Sequence, residues 1–82
     1  MPKLDNWSLV GIESPSLHGN VSDSPNFENG EFIRTSYICK AIDGNHVQTY
    51  SGSIYELGTV DPLYERMYPN ALQRLIESLN KK

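Results

Sequence analysis

The chain contains one cysteine, Cys39. That excludes an internal disulfide and a cysteine zinc cluster. No apolar run approaches the roughly 18 residues that a membrane-spanning helix needs, so no membrane partner is expected. The first residues, Met1 to Asp5, hold no apolar leader, and the reading places the protein in the cytoplasm. Basic residues are scarce at the amino-terminal end. Within residues 1–31, Lys3 alone faces Asp5, Glu13, Asp23, Glu28 and Glu31, whereas the remainder holds five acids and six bases. An acidic surface repels phosphate, which disfavours nucleic acid as a partner and favours a basic protein.

Groupings that carry chemistry are also lacking. His18 and His46 are far apart and have no companion ligand at helical spacing, so no metal site and no cofactor are expected. None of the serines lies in a nucleophile-elbow pattern, and Ser51-Gly52-Ser53 is too short for a phosphate loop. Glu28 and Glu31 flank a polar turn, and a solvated carboxylate is a poor general acid. The sequence therefore reads as that of a binding protein and not of an enzyme.

Apolar residues make up only 38% of the 82, which indicates one small domain spanning residues 1–82 with a thin core. Eight aromatics compensate, because each can bury about 150–250 Å². Strand patterns occupy roughly residues 7–58. Trp7 to Glu13 and Leu17 to Ser22 read as two strands around a Ser14-Pro15-Ser16 turn. Asp23 to Gly30 is turn-rich and holds Phe27, which either folds back as a plug on the core edge or anchors a partner. Glu31 to Ile42 is the longest strand candidate. Phe32, Ile38 and Ile42 fall on one of its faces, Ile33, Tyr37, Cys39 and Ala41 on the other, as suits a strongly bent sheet. Asp43-Gly44 signals a type I′ hairpin into His46 to Tyr50. Gly52 is either a bulge inside one long strand or a tight turn between two short ones. The bulge is preferred, because a small barrel needs such a bend to turn a corner. On that reading Val47, Thr49, Tyr55 and Leu57 line a similar face.

The helical tail, about residues 61–80, has the clearest signals. Asp61-Pro62 is an N-cap followed by proline at the first helical position. Pro69 breaks the helix, and Asn70 can cap a second one. Leu72, Leu75, Ile76 and Leu79 recur at helical spacing, and Lys81 and Lys82 complement the negative end of the dipole. The fold expected is α+β: a curled antiparallel sheet or small open barrel of four to five strands with a C-terminal amphipathic helix. The apolar stripe should pack on the sheet, because a helix this short is stable only when packed.

Two surfaces then compete as binding sites. The first is the acidic amino-terminal set, Glu13, Asp23, Phe27, Glu28 and Glu31, which suits a basic protein. The second is Arg34, Tyr37, Tyr50 and Tyr55, which as an aromatic platform would suit single-stranded nucleic acid or a small ligand. An exposed strand edge would also drive homodimerisation.

Four short motifs resemble a group of small bacterial and phage-associated proteins in which a TSxI strand precedes a TxSGxxYxLG segment. They are Trp7-Ser8-Leu9, Pro25-Asn26-Phe27 with Asn29-Gly30, Thr35-Ser36-Tyr37-Ile38, and Thr49 to Gly58 (TYSGSIYELG). The resemblance covers about residues 7–58. It implies a phage or mobile-element setting, and with it a small acidic inhibitor of a host defence factor.

Overall fold

A computed structural model describes residues 2–11 and 15–80. Among them, six strands and two helices follow one another: β1 (Lys3–Val10), β2 (Ser16–Ser22), β3 (Glu31–Arg34), β4 (Ile38–Asp43), β5 (His46–Thr49), β6 (Ile54–Leu57), α1 (Pro62–Met67) and α2 (Ala71–Asn80). The strands form one open sheet in the order β3-β2-β1-β6-β5-β4. All neighbours are antiparallel except β1 and β6, which run parallel. The fold is thus an α+β domain with a C-terminal helix, as the sequence indicated. In detail it has six strands in place of four or five, and the parallel pair makes the sheet mixed.

The extra strand comes from Glu31 to Ile42, which is not one strand but two. It breaks at Thr35-Ser36-Tyr37, and its halves, β3 and β4, form the opposite rims of the sheet. Those residues alone join the two rims, so the sheet has to curl. Thr35 anchors the break. Its N–H donates to the Leu17 carbonyl (2.8 Å). Its buried Oγ1 accepts from the Leu17 N–H (3.0 Å) and donates to the Ser36 carbonyl (2.8 Å). Beyond it, Ile38 N–H reaches the Pro15 carbonyl and Tyr50 N–H reaches the Tyr37 carbonyl. The alternation slips by one residue here: Ile33 and Thr35 face the core before the break, Ile38 after it. A slip of one exchanges the faces. Phe32, expected beside Ile38, is therefore exposed, and Ile42 is exposed because the register of β4 against β5 shifts again between Ile38 and Lys40 and turns Ala41 to the core instead.

A second irregularity shapes β1, which begins at Lys3 rather than at Trp7. Its register against β2 shifts between Asp5 and Ser8, where Asn6 takes a left-handed φ of 52°. Asparagine tolerates that conformation. The bulge puts Leu4 and Trp7 on the same side, and both are completely buried. It also turns the Asn6 and Trp7 amides to Thr59, at 3.1 Å from its Oγ1 and 3.2 Å from its carbonyl. Trp7 Nε1 donates to the Gly58 carbonyl (3.3 Å). Ile12 and Glu13, expected in the first strand, lie outside the described residues.

Both hairpins form, with different turn chemistry from that expected. At Asp43-Gly44 neither residue has a positive φ. The Asp43 carboxylate instead accepts from the Asn45 N–H at 3.0 Å, so the side chain imitates a turn. Gly52 is a turn residue, not a bulge inside a longer strand. Its N–H donates to the Thr49 carbonyl (3.0 Å), Thr49 N–H donates to the Ser53 carbonyl (2.9 Å), and its φ is 92°. This is a three-residue hairpin loop with glycine at the left-handed position. β5 therefore folds back on β6, with Val47 opposite Tyr55, and Val47, Thr49, Tyr55 and Leu57 do share the buried face.

The helices closely match the sequence reading. Asp61 caps α1 by accepting from the Leu63 N–H (3.3 Å). The chain breaks at Pro69, and Asn70 turns it with a φ of 62°; this left-handed corner replaces the expected N-cap. Ala71, Leu75 and Leu79 of α2 are buried, Leu72 and Ile76 half-buried against the same core, and α2 packs on β4. Burying a leucine stabilises by about 1.5–3 kcal/mol, so the stripe supplies much of what holds this helix in place. Lys81 and Lys82 lie outside the described residues.

Candidate functional site

The loop between β2 and β3 is ordered by its own polar groups. Asp23, with φ 57°, leaves β2, and its N–H donates to Asn29 Oδ1 (2.9 Å). Asn26 N–H donates to Ser24 Oγ (3.2 Å). Gly30 N–H returns to the Val21 carbonyl (2.7 Å), and Asn20 Nδ2 donates to the Gly30 carbonyl (3.1 Å). At the loop's exit Glu31 accepts from the Glu28 N–H (3.3 Å), while its own N–H donates to the Glu28 carbonyl (3.1 Å). These bonds bring Asp23, Glu28 and Glu31 together, and all three are exposed. Among the described residues none of them has a basic partner; the ion pair found joins His46 Nδ1 and Asp43 Oδ1 at 2.8 Å.

Phe27 lies in this loop. It is not a plug: it stands outside the core cluster and is exposed. Phe32, on the neighbouring strand, is 62% exposed and packs edge-on to the His18 ring at 5.5 Å. Glu13, expected in the same set, lies outside the described residues. Of the acidic set, then, the fold gathers Asp23, Phe27, Glu28 and Glu31, and it adds Phe32. That addition was hidden in the sequence by the slip at Thr35, which turned Phe32 outward.

The alternative face does not assemble. Tyr55 is buried in the core and cannot stack on a ligand; burial pushes its phenol above the ordinary range. Tyr37 and Tyr50 are exposed neighbours at the turn. Arg34 lies before the break, with its Nε donating to buried Ser16 Oγ (3.0 Å).

The remaining candidates are dispersed. Cys39 is half-buried in β4, His18 lies against Phe32, and His46 is held by Asp43. Among the described residues no three His, Cys, Asp or Glu side chains stand close enough to share a metal ion. A groove of about 150 Å³ runs between β1 and the helices, lined by Leu9, Tyr64, Tyr68, Arg74, Leu75 and Ser78 among others. Burial, and secondarily Tyr68, pushes the Tyr64 phenol up. Of Tyr64, Tyr68 and Leu75 the sequence signalled Leu75 alone, as part of the apolar stripe, and it gave no signal for a groove.

The fold and site define a small α+β domain with an acidic, phenylalanine-bearing end. No family model, curated protein or solved structure matches the chain.

Proposed function

We propose that the protein is a non-catalytic binding module whose acidic end docks on a basic protein surface. The observation that carries this reading is the company kept by Asp23, Glu28 and Glu31. They lack a basic partner among the described residues, and two exposed phenylalanines accompany them, Phe27 in the same loop and Phe32 on the strand that follows. Aromatic side chains that become buried on contact supply most of the energy of an interface, while surrounding charges set orientation and association rate. In the phage or mobile-element setting implied by the resemblance, the basic surface is the nucleic-acid groove of a host defence factor, which the acidic end occupies in place of nucleic acid.

The test is to identify the partner by co-purification from the native host and titrate it with variants. Reversing Glu28 and Glu31 to lysine should weaken binding at least tenfold, about 1.4 kcal/mol, and Phe27→Ala should raise the dissociation rate. Equal affinity of the wild type and the charge-reversed protein overturns the reading. Binding of a single-stranded oligonucleotide that Tyr50→Ala abolishes would transfer the function to the opposite face.

A further inference from the structure

The two rims of the sheet are not alike. β4 carries Lys40 and packs against α2, whereas β3 (Glu31–Arg34) contains no lysine or proline, its two charges are Glu31 and Arg34, and among the described residues its only strand neighbour is β2. The hydrogen bonds fix which of its backbone groups are free. Thr35 pairs with Leu17 through its N–H (2.8 Å), and Ile33 stands opposite Gly19 two residues further along. Bonded and non-bonded positions alternate in an antiparallel ladder. The N–H and C=O of Ile33 therefore turn to β2, and those of Phe32 and Arg34 turn outward, where the described residues form no further strand. Both residues are exposed.

We propose that β3 takes an extended basic peptide as an added strand, paired through the outward backbone groups of Phe32 and Arg34. This rests on the acidic docking reading and specifies its mode. Main-chain hydrogen bonds supply affinity in such strand addition, and side chains at alternate positions supply specificity. The Phe32 ring offers an apolar contact for one side chain of the added strand. Glu31 and Glu28, at the start of β3, receive a lysine or arginine from its end, with Asp23 adding to the same field. The carboxylates of Asp23, Glu28 and Glu31, which have no basic partner among the described residues, select a basic segment for this edge.

The experiment is a titration of the full-length, isotopically labelled protein with an alternating Lys-Val octapeptide, followed by amide resonances. Phe32→Pro removes an N–H that the β2 ladder does not use, and proline is tolerated on strand edges; Phe32→Ala controls for the ring. Saturable binding that moves the Phe32 and Arg34 amides most, and that is at least tenfold weaker in Phe32→Pro than in Phe32→Ala, is the expected result. If Phe32→Pro does not fold, Arg34→Pro against Arg34→Ala makes the same comparison. No saturable binding, or equal affinity of the proline and alanine variants, overturns strand addition. In the second case a loss on reversing Glu28 and Glu31 leaves acidic docking intact, so the two readings fail separately. Equal affinity for a Glu-Val octapeptide overturns the basic partner, and amide shifts that appear on concentrating the protein alone assign the edge to a second copy.

Discussion

Gly19 lies against Leu4: a β-carbon on Gly19 would stand 2.7 Å from Leu4 Cγ and 2.9 Å from the Asp5 carbonyl oxygen. Both are closer than packed atoms approach. β2 accepts this glycine inside a strand because the bulge at Asn6 aims Leu4 across it. Gly19→Ala should therefore destabilise the protein by about 1–3 kcal/mol, as overpacking does. Urea denaturation measures it. A double variant with Leu4→Ala should cost less than the sum of the single changes, because the two share one contact. Strict additivity would show that the contact is absent.

Thr35 holds the corner between the rims with a hydroxyl that no other group replaces. Thr35→Val keeps the shape and removes the acceptor for the Leu17 N–H. A buried donor left unsatisfied costs about 1–3 kcal/mol. The expected outcome is a loss of that size, with faster amide exchange at Leu17 than at Leu4. Unchanged stability would mean that the corner is held by the backbone alone.

Asp43 makes the β4–β5 hairpin sensitive to acid. The Asn45 amide, and then the His46 imidazole, hold its carboxyl below the usual range. A depressed folded value contributes stability above the unfolded pKa that is lost as the pH falls through the folded one. Wild type should therefore be more stable than Asp43→Ala at neutral pH, and the difference should shrink as the solution is acidified below the carboxylate range. Parallel stability curves for the two proteins down to acid would refute the coupling.

Tyr55 and Tyr64 govern the alkaline limb. Burial raises both phenols above the ordinary value of 10.0. With the folded value raised, the contribution to stability is complete below the unfolded pKa and disappears as the pH rises through the folded one. Tyrosinate absorbance should show a late-ionising fraction among the five tyrosines. Tyr55→Phe should remove part of that fraction and flatten the alkaline loss of stability. A late fraction unaltered in Tyr55→Phe would place the buried phenol elsewhere.

How legible each part was depended on the range of the interactions that decide it. The tail was readable because Asp61-Pro62, Pro69 and the Leu72, Leu75, Ile76, Leu79 spacing act through neighbours within a turn or two. The acidic loop was readable for the same reason: Asp23, Glu28, Asn29 and Glu31 order one another locally. The shared face of Val47, Thr49, Tyr55 and Leu57 survived even though Gly52 proved to be a turn, since alternation along each strand fixes the face on either topology. Phe32 and Tyr55 were misplaced because each depends on a partner distant in sequence. Leu17 pins Thr35 and flips Phe32 outward, and the pairing of β5 with β6 carries Tyr55 into the core.

The amino-acid sequence by itself determined the helical tail, the Asp61 cap and where most of the turns fall, because those rest on periodicity and on hydrogen bonds between near neighbours. Only the tertiary structure decided that β1 and β6 lie parallel and that one apparent strand supplies both rims of the sheet. It also decided that β3 keeps a bare edge beside the acidic loop. Those outcomes depend on bonds such as Trp7 to Thr59 and Thr35 to Leu17, whose partners meet only after the chain has closed long loops, and no local pattern encodes which distant segments will meet.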